Sequence, residues 1–229
     1  MRNPYYFEFS GNGELFYATG ANVPWTRTTH RNPELGSPEG TYERYFGAAR
    51  GHMSATRVWQ CHFGWIEWMP QADVSDELNS WSGYGGANFY NQMVSSAFDR
   101  VFEMAEDAGF CIMLVLDDND EHMLTGPSQH QWWGNPNNVI NGGWCEKPHE
   151  IFTNENARKN YRKRLRYIMT RWGYSPSLWA INTWNDCSNP SPQHLDWLRE
   201  MHGYVHSLAD AWRPIIFGTN YAFAAQEIS

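Results

Sequence analysis

The chain has 229 residues, 41% of them hydrophobic and 18% charged, which suffices to bury one large core, so residues 1–229 are expected to form a single domain. A formal charge of −8 argues against a nucleic-acid partner, because neutralising phosphates takes clustered cations that the sequence does not show. No apolar stretch approaches the roughly 20 residues of a membrane span, and the opening Met1-Arg-Asn-Pro-Tyr-Tyr6 lacks the apolar centre of a signal peptide, so neither a membrane partner nor export is legible.

In chain order, Tyr5–Phe9 and Leu15–Thr19, separated by Gly11-Asn-Gly13, predict a β-hairpin leading into a first strand that ends near Asn22. A helix around Thr41–Ala49 follows, then a strand at Ala55–Trp59. A long helix over about Phe89–Ala108 is stopped by Gly109, the usual left-handed cap, before a strand at Cys111–Leu116. Beyond a long loop, Asn154–Trp172 is helical and closed by Gly173. Its basic residues between Arg158 and Arg171 read as a solvated face, because Ala157, Tyr161, Leu165, Ile168 and Trp172 recur through it at helical spacing. Leu178–Thr183 is the next strand. Ser191-Pro192 supplies a capping hydroxyl and a proline at the first position of a helix that keeps Leu195, Leu198, Met201, Val205 and Leu208 on one face. Ile215–Thr219 is a fifth strand.

Alternating strands and helices predict a parallel sheet with right-handed crossovers, either open and doubly wound or the first five units of an eight-stranded barrel. An open sheet binding a dinucleotide would carry a glycine fingerprint at its first turn, and Gly20-Ala-Asn-Val-Pro-Trp25 does not. Polar and aromatic residues instead follow every strand: Asn22 and Trp25, Arg57 and Trp59, Asp117 through His122, Asn185 and Asp186, Asn220 and Tyr221. Such a ring at the C-terminal strand ends suits a TIM-type (β/α)8 barrel, here partial, with about five strand-helix units and an N-terminal β-hairpin.

The four cysteines are too far apart for a zinc site, and no metal or cofactor is expected; a disulfide between Cys145 and Cys187 stays open. The acidic run Asp117-Asp-Asn-Asp-Glu-His122 could hold a hard cation but reads more simply as solvated loop charge. With 13 Trp, 12 Tyr and 12 Phe, the chain has aromatics to spare for flat apolar ligands. Phe102, Tyr167 and Trp212 fall on helical faces and read as core. For Trp25, Trp132, Trp133 and Trp144, in loops, packing and stacking on sugar rings are both open.

The segments YATGANVPW (17–25), TRVWQ (56–60), IMLVLDD (112–118) and WWGNPNNVINGGWCEKPHEIFTNENARKNYRKRLRYIMTRWGYSPSLWAINTWND (132–186) together resemble bacterial cellulase-like glycoside hydrolases, the clan A barrels related to glycoside hydrolase family 5. The resemblance implies an O-glycosyl hydrolase of β-linked polysaccharide in an extracellular or periplasmic setting. It matches Asp186 to the general acid/base, Asn185 to the residue that holds the sugar 2-hydroxyl and Arg57 to the arginine that orients the nucleophile. Asn22, Trp25 and Trp59 match the subsite floor, and Asp117, Asn119, His122, Trp132, Trp133, Trp184 and Tyr221 complete the expected substrate-binding set.

Three departures from the family pattern bear on chemistry. Asp replaces Glu at the acid/base position, which draws the carboxyl back by one methylene, roughly 1.5 Å. The loop after the third strand leaves open whether Asn119 or His122 takes the family's histidine role. The family's nucleophile is a Glu after a seventh strand, beyond the five units read here, and Glu227 is no substitute. Asp117 or Asp118 is then the in-chain alternative for a second carboxylate, suited to an inverting geometry. A rival expectation is a carbohydrate-binding or assembly module that keeps an aromatic cleft without chemistry. Five strands do not close a cylinder of eight, so self-association or a completing polypeptide is also expected.

Overall fold

The structure, a computed structural model, describes residues 7–9, 11–24, 38–60, 89–90, 92–118, 132, 135–185 and 191–208, and the backbone of 216–219. The hairpin pairs β1 (Phe7–Glu8) with β2 (Leu15–Phe16) in antiparallel register, Phe7 opposite Phe16 and Glu8 opposite Leu15. After it come α1 (Pro38–Ala49), β3 (Ala55–Trp59), α2 (Gln92–Ala108), β4 (Cys111–Asp118), α3 (Glu155–Trp172), β5 (Leu178–Asn185), α4 (Pro192–Leu208) and β6 (Ile216–Thr219). These follow the predicted order, and both central strands run two residues farther than predicted, to Asp118 and Asn185.

Strands β3-β4-β5-β6 are hydrogen-bonded in chain order, all parallel. The extended segment 19–24 lies along the other side of β3. The Thr19 carbonyl accepts from the Ser54 and Ala55 amides, the Pro24 carbonyl accepts from the Trp59 amide, and Asn22 bridges Arg57. This is the predicted first strand. Gly20 permits the approach, since a Cβ there would lie 1.6 Å from the Ala55 carbonyl oxygen. Gly109 turns α2 into β4 with φ 74°, the predicted left-handed stop.

One contiguous core holds side chains from all four described α-helices: Tyr42 and Phe46 of α1, Phe98, Val101 and Phe102 of α2, Leu165, Ile168 and Trp172 of α3, and Trp197, Leu198 and Met201 of α4. They meet Val58, Ile112, Leu114, Leu116, Leu178 and Ile181 from a single face of the sheet. A doubly wound sheet would split its helices between two faces. Sequential strand order and helices on one face are the layout of the first five units of a (β/α)8 barrel. The hairpin sits at the opposite end of the sheet from the C-terminal strand ends, its Phe7 and Phe16 rings edge-on to Trp179 at 5.2 and 5.6 Å. Among the described residues no helix is long and apolar enough to cross a membrane.

The loop before α3 is built on asparagine side chains that satisfy its own backbone. Asn138 accepts from the Ile140 amide and donates to the Trp132 carbonyl, Asn141 donates to the Asn135 carbonyl, and Asn154 donates to the Trp144 carbonyl. The loop has a small core of its own, Trp132, Cys145, Ile151 and Ala157. Cys145 is a free thiol with 0% exposure, and burial, aided by the Glu150 charge, pushes its pKa up to about 12. Cys187 lies outside the described residues.

Asn154 also starts α3, its side-chain oxygen accepting from the Asn156 and Ala157 amides at 3.0 and 3.2 Å. Asn154→Ala should cost about 1 kcal/mol in chemical denaturation, whereas Asn156→Ala, one turn position inside, should be close to neutral.

Candidate active site

Strand ends carry the polar groups. At the C-terminal end of β3, the Arg57 guanidinium donates through Nη2 to Asn185 Oδ1 on β5 at 2.9 Å and lies 5.3 Å from the centre of the Trp59 ring. The Asn185 amide in turn donates through Nδ2 to Asp118 Oδ1 on β4 at 3.2 Å. A guanidinium only donates, so Arg57 takes the Asn185 carbonyl oxygen and turns the amide nitrogen toward Asp118. Asp118 and Asn185 are 4% and 3% exposed. Three adjacent strands therefore present one continuous donor-acceptor series, with Trp59 and Val115 packed beneath it.

Asp117 has a different environment. Its carboxylate accepts from Arg164 Nη1 at 2.9 Å and from the Tyr161 hydroxyl at 2.5 Å, both on α3, while Arg164 Nη2 donates to the Leu116 carbonyl at 2.8 Å. Leu116 belongs to the helix-side core, so two consecutive residues face the helices and Asp118 returns to the face shared with Arg57. Strand β5 repeats the slip: Trp184, aligned with Asp117, faces the helices, and Asn185, aligned with Asp118, faces inward. Counting by twos from Val115 would have put Asp117 inside. Asp118, which the substrate-binding expectation omitted, is the aspartate that meets Asn185.

Two of the expected aromatic binders are used in packing. Trp184 stands 4.9 Å from His194, 5.6 Å from Phe152 and 6.1 Å from Trp197, and is 3% exposed. Trp132 is 1% exposed in the loop core and donates its indole N–H to the Glu146 carbonyl. Of the expected site residues, Asn22, Arg57, Trp59 and Asn185 are brought together at one end of the sheet. Asp186, Trp25, Asn119, His122, Trp133 and Tyr221 lie outside the described residues. Among the described residues no group of three or more His, Cys, Asp or Glu could hold a metal ion.

No protein-family profile matches the chain, and no curated protein does either. Solved structures do. The chain superposes on the β-mannanase of the blue mussel Mytilus edulis (TM-score 0.56, 12% identity) over 91% of this chain and 60% of that one. It superposes on the endo-1,4-β-mannanase of Rhizomucor miehei (TM-score 0.57, 16% identity) over 93% and 59%, and on the β-1,4-D-mannanase of Cryptopygus antarcticus (TM-score 0.55, 14% identity) over 91% and 58%. The fold is a partial (β/α)8 barrel. The chain spans about 60% of the length of these mannanases, and at such identity the likeness is one of fold.

The buried pair under the site gives a direct test. Arg164→Leu strands the Asp117 carboxylate without its cation and should cost roughly 3–5 kcal/mol in urea denaturation. The double change Asp117→Leu/Arg164→Leu should recover most of that loss, because no buried charge is left alone.

Proposed function

We propose that the chain is a glycoside hydrolase-like barrel domain that acts on a β-linked polysaccharide at the C-terminal ends of its strands. The observation that carries this reading is the Arg57–Asn185–Asp118 series, three polar side chains joined across three adjacent strand ends. An amide held between Arg57 and Asp118 is a fixed hydrogen-bonding group at the strand ends, and a fixed dipole there favours a sugar hydroxyl brought against it. Trp59, beside Arg57, is the candidate for stacking on a sugar face, with Asn22 at the rim. The β-mannanase fold supports a mannan or related β-1,4-linked glycan as the first substrate to try.

In this reading Asp186, the residue after Asn185, gives its proton to the leaving glycosidic oxygen, and in a retaining path it then draws a proton from the attacking water. Asn185 holds the sugar 2-hydroxyl, and Arg57 orients the nucleophile. The reaction requires a second carboxylate. In a retaining path that is a nucleophile roughly 5–5.5 Å away, brought by a segment or polypeptide that completes the barrel; in an inverting path it is a base at roughly 6.5–9.5 Å. Of the two aspartates that end β4, Asp118 is the in-chain candidate for the inverting role, since Asp117 is occupied by Arg164 and Tyr161. Self-association, or binding of such a completing polypeptide, belongs to the same proposal.

Reducing-end release from β-1,4-mannan and from a β-glucan tests the assignment. Asp186→Ala should lower turnover by about 10²–10⁴-fold. Asp186→Glu should raise it, by up to roughly 100-fold, because the longer side chain restores the reach toward the glycosidic oxygen. Equal rates in the wild type and Asp186→Ala would remove Asp186 from the acid/base role. Oligosaccharide binding with no turnover in any variant would instead identify a carbohydrate-binding barrel.

A further inference from the structure

Away from the strand ends, helix α4 carries His202 and His206 one turn apart, with ring centroids 4.4 Å from one another. Residues at i and i+4 of a helix share a face, so both imidazoles project over the same turn. His202 is half-buried and His206 is exposed, so the pair opens to solvent on one side. Gly203 sits between them in sequence, and a Cβ there would meet nothing within 4 Å, which leaves the helix surface beside the rings bare. A glycine inside a helix weakens it, and among the described residues no close approach requires one at this place.

We propose that His202 and His206 form a two-imidazole site for a divalent transition-metal cation of the zinc, nickel and copper class. Imidazole nitrogens bind such ions at about 2.0–2.1 Å, which sets the two donor atoms of a tetrahedral site roughly 3.3 Å apart. Rings whose centres are 4.4 Å apart reach that separation by rotation about their side-chain bonds, without movement of the helix. Water completes the coordination on the open side. Hard cations such as magnesium and calcium prefer oxygen donors and are not candidates.

The surroundings suit a cation. The nearest cationic side chain one turn toward the N-terminus, Arg199, is answered by Asp196 at 2.9 Å, and the chain as a whole carries −8. A bound ion would bridge the turn that contains Gly203 and stiffen the last third of α4. The site is independent of any glycosidase activity, because neither histidine touches the Arg57–Asn185–Asp118 series.

Zinc chloride titrated calorimetrically into the full chain, purified without a histidine tag, decides the matter. The expected result is saturable binding of one equivalent, weakened at least tenfold in His202→Ala and in His206→Gln, with a zinc-dependent rise in Tm that both variants lose. His206 is exposed, so His206→Gln should melt with the wild type when no metal is present. Copper(II) electron paramagnetic resonance should show two nitrogen donors in the wild type and one in either variant. Zinc binding that both variants retain, an adventitious ion only on other histidines, would overturn the proposal, and so would an absence of binding by the wild type.

Discussion

The ion pair between Arg164 of α3 and Asp117 of β4 governs the rest of the site. It is buried on both sides, with the Tyr161 hydroxyl on the second carboxylate oxygen and the Leu116 carbonyl on the second guanidinium nitrogen. Four mutually satisfied groups hold the helix against the strand end, and in doing so they keep Asp117 on the helix side. The strand cannot then alternate regularly through Leu116 and Asp117, and the next residue, Asp118, emerges on the opposite face. Strand β5 keeps step, since Val115 pairs with Asn182, Asp117 with Trp184 and Asp118 with Asn185. A polar contact beneath the sheet thus selects which aspartate stands above it.

The same slip divides the aromatic residues. Trp184 is carried to the helix side, where Phe152, His194 and Trp197 surround it, and Trp59 stays with Arg57 on the inner face. Aromatic abundance therefore serves two ends in one sheet. Rings on the helix side fill a large contiguous core and contribute burial, while the inner ring lies next to fixed polar groups, the pairing that a sugar-binding surface requires.

Superposition on β-mannanases at 12–16% identity fits this division. A core needs apolar side chains of about the right volume, so unrelated residues can fill the same barrel wall. Chemistry is less forgiving, and a fold alone does not specify it. The functional proposal accordingly rests on the strand-end residues and their hydrogen bonds, and the superposition serves to suggest which glycan to try first.

The order and type of the elements were legible in the sequence because they are set locally. Gly109, Asn154 and Ser191-Pro192 mark helix ends by backbone geometry and side-chain capping, and the apolar periods of α3 and α4 mark their buried faces. The gathering of polar groups at the C-terminal strand ends was also legible, since polar residues follow each apolar run. Which strand-end residues face inward was not. Period-two counting favours Asp117, and the buried pair with Arg164, 47 positions away in sequence, reverses the choice. The roles of Trp132 and Trp184 were hidden for the same reason: whether a ring packs or lines a cleft depends on what the returning helices place beside it. Sequence by itself determined the strands, the helices and the end of the sheet where polar groups gather. Only the tertiary structure decided which side of the sheet each of them faces, because contacts between distant segments outweigh the local alternation of a strand.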